Sequence, residues 1–236
     1  MLAIYKRELK SLFVSPIGYV FLLIILFISG ILTYQTFLIA SSGTFVMIYQ
    51  YIFIFSMMII PVLTMRSMSE DKKQKTDQAL LTAPVSLGGL VAGKTLAAFT
   101  VYAISVFSTL IHAVTVSILS AGSFNWGIVF GNLAGTLFYG LAYIAVGVFI
   151  SSLTESQVVS AFTTLGVGLF LMLVSSLSSM VNSALVSGIV KWISFQDRYY
   201  EFIGGRFNLA NVFFFLSIAG VFMFLTTRVL EKRRWS

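Results

Sequence analysis

The sequence contains no cysteine and a single histidine, and charged residues make up only 10% of its 236 positions. Without cysteine the chain forms no disulfide, holds no thiolate-bound metal and has no thiol nucleophile, and one histidine excludes a histidine-rich metal site. The shortage of charge, against about 25% in ordinary soluble domains, argues against a soluble fold. What is abundant instead is apolar sequence, at 58% of the residues.

The apolar residues fall into six long runs, and the mean hydropathy of the whole chain is +0.97. A helix rises 1.5 Å per residue, so about 20 apolar residues cross a hydrocarbon core of about 30 Å. The sequence therefore predicts an all-α integral membrane protein with a single transmembrane domain over residues 1–236. The predicted spans cover residues 17–39, 45–65, 96–119, 128–150, 157–181 and 209–227.

Three polar segments flank these runs. Residues 1–15 alternate basic and apolar side chains at helical spacing, which predicts a helix lying in the membrane interface. Residues 66–95 form a predicted loop that holds eight of the chain's 23 charged side chains. Residues 182–208 combine charges with aromatic side chains, which favour the boundary between lipid and water, so we predict short helices partly sunk in the outer leaflet.

The distribution of basic residues predicts the orientation. Six spans place both termini and the 66–95 loop on one side, and 12 of the 15 Lys and Arg residues lie there. By the positive-inside rule, that side is cytoplasmic. The same rule accounts for the net charge of +7 without nucleic acid, which we do not expect as a partner.

Residues 88–95 match the phosphate-binding pattern Gly-x4-Gly-Lys-Thr. That chemistry needs a buried strand before the loop and an acidic residue after another strand to help hold Mg²⁺. Here a charged stretch and Ala-Pro-Val-Ser precede the pattern, and no aspartate follows an apolar strand. We therefore interpret Lys94 as a cytoplasmic anchor at the start of the third span.

Other polar or small residues give less specific indications of helix contacts or binding sites. Gly127, Gly131 and Gly135 recur every four residues, which predicts a close helix contact within the chain or with another subunit. His112, inside the third span, fits a hydrogen bond to a neighbouring helix better than a proton or metal site. Glu155 is the only charge in the predicted turn between spans four and five, where it contacts a partner or caps a helix.

The spans lack the buried acidic and basic residues typical of ion-coupled transporters. Six short segments carry a more specific pattern: Lys6–Leu9, Ser15–Pro16, Ser69–Thr76, Leu80–Ser86, Gly93–Lys94 and Arg228–Trp235. With these segments the chain resembles the membrane subunits of type-2 ATP-binding-cassette (ABC-2) transporters, an exporter-like class, and most closely the branch of the gliding-motility and nitrous-oxide-reductase-maturation permeases. The resemblance runs nearly end to end.

The resemblance implies an elbow helix over residues 1–15, a coupling helix within residues 66–86 that docks on a separate ATPase, and short outer-leaflet helices before span six. The family usually has glycine before the loop threonine and glutamate two residues after it, where this chain has Lys75 and Gln78. The implied coupling residues comprise polar docking contacts and two apolar anchors: Glu70, Asp71, Lys72, Lys73 and Thr76, with Leu80 and Leu81.

The function implied is that of a permease subunit of an ATP-driven exporter in the cytoplasmic (inner) membrane of a prokaryote, moving an unidentified substrate. Its expected partners are two copies of an ABC ATPase and a second permease, identical or homologous. This chain is not expected to be an enzyme or to bind a cofactor, since ATP and Mg²⁺ belong to the ATPase. Two alternatives stay open: a non-transporting anchor, regulatory or immunity subunit, and an ion-coupled transporter.

Overall fold

The computed structural model describes residues 1–39, 45–76, 86–119, 124–180, 194–203 and 207–234. Every regular element in these ranges is helical. Six helical segments are long and apolar enough to cross a membrane, which confirms the predicted all-α class and the number of spans. These segments are Pro16–Phe37, Val46–Lys73, Leu87–Leu119, Trp126–Leu153, Gln157–Val174 and Leu209–Arg234.

The helices are numbered here in chain order, and a π-helical turn, Tyr34–Ile39, extends the second one. The α-helices are α1 (Leu2–Val14), α2 (Pro16–Thr33), α3 (Phe45–Thr64), α4 (Arg66–Lys73), α5 (Leu87–Ser108), α6 (Leu110–Leu119), α7 (Trp126–Leu153), α8 (Gln157–Met180), α9 (Phe195–Ile203) and α10 (Leu209–Arg234).

The chain changes direction between α1 and α2, where Ser15 is extended, with φ −79° and ψ 152°. Pro16 then occupies the first position of α2, where its missing N–H costs no helical hydrogen bond. On α1, Leu9 and Leu12 pack against the core, whereas Lys6 and Lys10 are exposed. α1 is therefore a separate amphipathic helix that ends before the first span.

Within the predicted loop over residues 66–95, the described parts, residues 66–76 and 86–95, are largely helical. Met65 has helical dihedral angles and its N–H donates to the Pro61 carbonyl at 2.9 Å, so α4 continues almost directly from α3. α5 already begins at Leu87, before the predicted span start at residue 96. The reason is that Leu87 and Leu90 are apolar and buried against the core, so the helix begins as soon as a buried face exists.

α7 is the central helix of the bundle. It packs against α3, α4, α5, α8, α9 and α10. In an apolar stretch of 18 residues within α7, 72% of the residues are buried, whereas the corresponding stretches of α8 and α10 are 17% and 22% buried. The outer helices therefore keep wide apolar faces for lipid or another subunit, while α7 is enclosed by the chain itself.

Three of the four aromatic residues of α9 are buried inside the bundle, whereas the composition of this segment predicts aromatic side chains at the lipid–water boundary. Phe195, Tyr199 and Phe202 are all buried. The Tyr199 hydroxyl donates to the Tyr49 carbonyl at 2.9 Å and lies 2.9 Å from the Thr136 hydroxyl. A tyrosine is readily buried when its hydroxyl finds such partners. The rest of the predicted outer segment, residues 182–193 and 204–206, lies outside the described residues.

Two of the three spaced glycines face α9. A Cβ atom on Gly135 would lie 2.5 Å from the Phe202 Cβ, and one on Gly131 would lie 3.8 Å from the Phe202 carbonyl oxygen. Gly127, in the first turn of α7, lies beside its own capping residue Asn125. The close helix contact at Gly131 and Gly135 is thus made within the chain.

Candidate functional site

Most of the charged side chains in the described part of the chain lie at one end of the bundle, which we call the charged end. It comprises α1, α4 with residues 74–76, the first turns of α5, the turn between α7 and α8, and the end of α10. Arg233 of α10 donates to the Ser152 carbonyl of α7, which brings the C-terminal helix to this end. α1 packs along α5. The N-terminal helix, α4 and the end of α10 therefore lie together.

Lys94 is at the centre of the charged end and its side chain is only 2% exposed. Its Nζ atom lies 3.0 Å from Glu8 Oε1 in α1 and 2.6 Å from Asp71 Oδ2 in α4. It also donates to the Ser67 carbonyl at 2.5 Å. Oxygen atoms from α1 and α4 therefore lie within 3.0 Å of the ammonium group. Glu8 accepts a further hydrogen bond from Arg7 at 2.8 Å, which raises the pKa of the Arg7 guanidinium.

The Gly-x4-Gly-Lys-Thr pattern lies within α5, so its backbone is helical and does not form a phosphate-binding loop. Lys94 forms ion pairs with Glu8 and Asp71, and the Thr95 hydroxyl donates to the Val91 carbonyl one turn earlier at 2.9 Å. The geometry agrees with the interpretation of Lys94 as an anchor.

Ser151, near the end of α7, binds the start of α4. Its hydroxyl accepts hydrogen bonds from the N–H groups of Met68 and Ser69, both at 3.1 Å, and donates to the Met65 carbonyl at 3.1 Å. α4 has no side-chain cap of its own. A hydroxyl from another helix therefore supplies a partner for the Met68 N–H, one of the groups that a helix start leaves without one.

Two further ion pairs lie nearer the solvent. Arg66 binds Glu70 one turn later on α4, at 2.7 and 3.0 Å. Lys72 lies 3.3 Å from Glu155, whose side chain is 64% exposed. Such an exposed pair contributes about 0–1 kcal/mol, so it adds little to the attachment of α4. Glu155 contacts α4 of its own chain, which neither of its two predicted roles included.

The predicted coupling residues thus separate into two groups. Glu70, Asp71 and Lys72 pair with Arg66, Lys94 and Glu155 within the chain, whereas Lys73 and Thr76 are exposed. The Thr76 hydroxyl also lies 3.0 Å from Asp71 Oδ1. Leu80 and Leu81 lie outside the described residues.

Sequence reasoning missed Ser151 and the contact between Glu8 and Lys94. Glu8 is the only acidic residue in the first 15 positions, and that isolation among basic residues is the one signal that points to it. Ser151 has no such signal, because serine is common throughout the spans and its partners are 82 to 86 positions away along the chain.

His112 lies apart from the charged end. Its Nε2 atom is 3.3 Å from the Leu26 carbonyl oxygen of α2, which is the kind of neighbouring-helix contact that the sequence analysis favoured. Among the described residues, no group of three or more His, Asp or Glu side chains is placed to hold a metal ion.

Comparison with known proteins agrees with this architecture. A family model described as "ABC-2 family transporter protein" matches residues 2–235, nearly the whole chain. No curated protein matches the chain. The family is one of membrane domains without an ATPase domain, whose members work with an ABC ATPase. With six apolar helices of spanning length and a family match over almost every residue, this multi-pass membrane protein belongs to the ABC-2 transporter family.

Proposed function

We propose that this chain is the membrane-spanning subunit of an ATP-driven exporter in the cytoplasmic (inner) membrane of a prokaryote, with the charged end and both termini in the cytoplasm. Family membership supports partnership with an ABC ATPase, and the bias of basic residues supports the orientation. The segments quoted above further support a place near the gliding-motility and nitrous-oxide-reductase-maturation branch. The transported substrate is unidentified.

The observation that carries this proposal is the attachment of α4 to three other helices. Asp71 joins α4 to α5 and α1 through Lys94, and the first turn of α4 is bound to α7 by Ser151. α3 runs into α4 through the helical residue Met65. A force applied to α4 would therefore reach spans two, three and four directly, as a coupling element requires.

The docking surface proposed for the ATPase starts at Lys73 and continues through Thr76 toward Leu80 and Leu81. Residues 73–76 are exposed and belong to the charged end. Lys73 and Thr76 supply polar contacts, and the two leucines supply apolar anchors. Glu70, Asp71 and Lys72, which the resemblance also assigns to docking, form the base of this surface through their contacts within the chain.

In this proposal ATP and Mg²⁺ are held by two ATPase subunits, and this chain contributes no catalytic residue. Closure of the ATPases moves α4, and the helices around α7 rock as a packed unit. A second permease, identical or homologous, completes the assembly, because a six-span subunit of this size needs a second one to enclose a path.

The docking surface is tested by changing Leu80 and Leu81 to Asp together and purifying the chain with its co-expressed ATPase. We expect loss of the ATPase, because burying two carboxylates in an apolar contact is costly. The matched control, Leu80→Met with Leu81→Met, keeps the apolar character and should retain the ATPase. Full ATPase recovery with the Asp variant would contradict the proposed surface.

A further inference from the structure

One buried amine joins three helices that are far apart in sequence. Lys94 of α5 contacts Glu8 of α1 at 3.0 Å and Asp71 of α4 at 2.6 Å, and it also binds the Ser67 carbonyl of α4 at 2.5 Å. Neither carboxylate is strongly exposed, with side-chain exposures of 18% and 19%. A buried ion pair held by further hydrogen bonds has a defined geometry, unlike a pair at the surface.

The helices are also packed closely at this point. A Cβ atom on Gly93, the neighbour of Lys94, would lie 3.2 Å from the Ile4 Cγ2 atom of α1. About two turns further along α5, the Tyr5 hydroxyl lies 3.0 Å from the Thr100 hydroxyl. α1 is therefore held against α5 by packing and by a second hydrogen bond, whatever the charge at position 94.

α4 differs from α1 in this respect. Its polar link to α5 is made by Lys94, through Asp71 and Ser67, whereas its other polar attachments lead to Ser151 of α7 and to Glu155 in the turn after α7. Removing the charge of Lys94 therefore leaves α1 on α5 and α4 on α7, but it removes the direct polar link between α4 and α5. The first half of span three would then follow α4 only through other helices.

We propose that Lys94 is a positioning residue that makes α1, α4 and α5 move together, so that displacement of α4 by a docked partner is passed to span three. This inference rests on the proposed function, since it requires an ATPase that moves α4. It assigns to the lysine of a phosphate-loop-like pattern a mechanical role in place of nucleotide binding.

The absence of native cysteine makes a single-site test available. Leu119, at the end of α6 and so at the far end of span three, is 66% exposed, and Leu119→Cys introduces one reactive thiol there. The complete complex with its ATPase, in lipid nanodiscs that leave both membrane faces open to solvent, is labelled with a membrane-impermeant maleimide in ADP and in Mg-ATP with vanadate. The labelling rate is expected to differ between the two states.

In the Lys94→Met variant we expect the difference in labelling rate to be lost while the ATPase co-purifies in the parent ratio. Lys10→Met, which removes one exposed charge from α1, should keep the difference. Asp71→Asn, which preserves side-chain shape and the contact between Lys94 and Glu8, should reduce it. A merely structural lysine would lower the yield of complex without changing the labelling response of the complex that forms.

Each opposing result is informative. If Lys94→Met keeps the parent's labelling difference, or if the parent shows none, no movement reaches span three through this residue and the inference is wrong. If Lys94→Met and Asp71→Asn both lose the complex altogether, the lysine is needed for assembly and the inference is again overturned. If the parent chain binds no ATPase, the proposed function itself fails.

Discussion

Replacing Ser151 by alanine tests how strongly α4 is attached to the bundle. The substitution removes three hydrogen bonds, since the hydroxyl accepts from the N–H groups of Met68 and Ser69 and donates to the Met65 carbonyl. A buried donor left without a partner costs about 1–3 kcal/mol, and loss of a helix cap about 1 kcal/mol. Because water can reach some of the freed groups, we expect the free energy of local opening of α4 to fall by about 2 kcal/mol.

Hydrogen exchange measures this opening directly. A change of about 2 kcal/mol corresponds to about 30-fold faster exchange, because 1.36 kcal/mol is a factor of ten. In mass spectrometry of the detergent-solubilised chain, peptides covering residues 66–73 should show that acceleration in Ser151→Ala, whereas peptides from the centre of α7 should not. Local opening is the process that such exchange reports.

The neighbouring serine supplies a matched control. Ser152 is also fully buried, but its hydroxyl donates only to the Phe149 carbonyl of its own helix, at 2.7 Å. A hydroxyl bonded back to its own helix contributes little to stability, so Ser152→Ala should leave exchange in α4 unchanged. Equal exchange in the Ser151 and Ser152 variants would refute the assignment of Ser151 as the cap of α4.

Three further substitutions test packing and polar contacts elsewhere. Gly147→Ala would place a Cβ atom 2.3 Å from the Thr64 hydroxyl oxygen, so we expect a loss of about 1–3 kcal/mol in stability, measured by thermal unfolding in detergent. Gly166, with no atom within 4 Å of an added Cβ, is its control and should tolerate alanine; equal melting of the two variants would contradict the packing. Tyr199→Phe removes both hydrogen bonds of the hydroxyl and should lower stability by about 1–2 kcal/mol, and an unchanged melting temperature would show that the packing of α9 does not depend on them. Glu155→Gln breaks only an exposed ion pair, so its effect should stay within about 1 kcal/mol, and a larger loss would mean that the pair carries more of the attachment than its exposure indicates.

The number and type of helices follow from the sequence because uncharged runs of about 20 residues have one stable form in lipid. Their ends do not follow as well. The start of α5 at Leu87 depends on burial against the core. Lys94 lowers the local hydropathy of the sequence, although in the structure its side chain is paired and buried. A local pattern cannot distinguish such a lysine from one in a solvated loop.

The contacts of the charged end were harder to predict, because each joins positions that are distant along the chain. The sequence around Lys94 predicts an anchor, because it lacks the strand that phosphate binding needs, but the partners of Lys94, Glu8 and Asp71, come from two other segments. The aromatic residues of α9 were expected at the lipid boundary for a similar reason: composition describes Tyr199 but not the acceptors on α3 and α7 that allow its burial.

The most direct test of the account is to co-express the tagged chain with the ABC ATPase encoded beside it and to purify through that tag alone. The account predicts that the ATPase co-purifies in equal ratio and is lost when residues 70–81 are scrambled. If the intact chain purifies alone, with its 66–86 segment open to protease, the central claim is contradicted and an anchor or regulatory role takes its place.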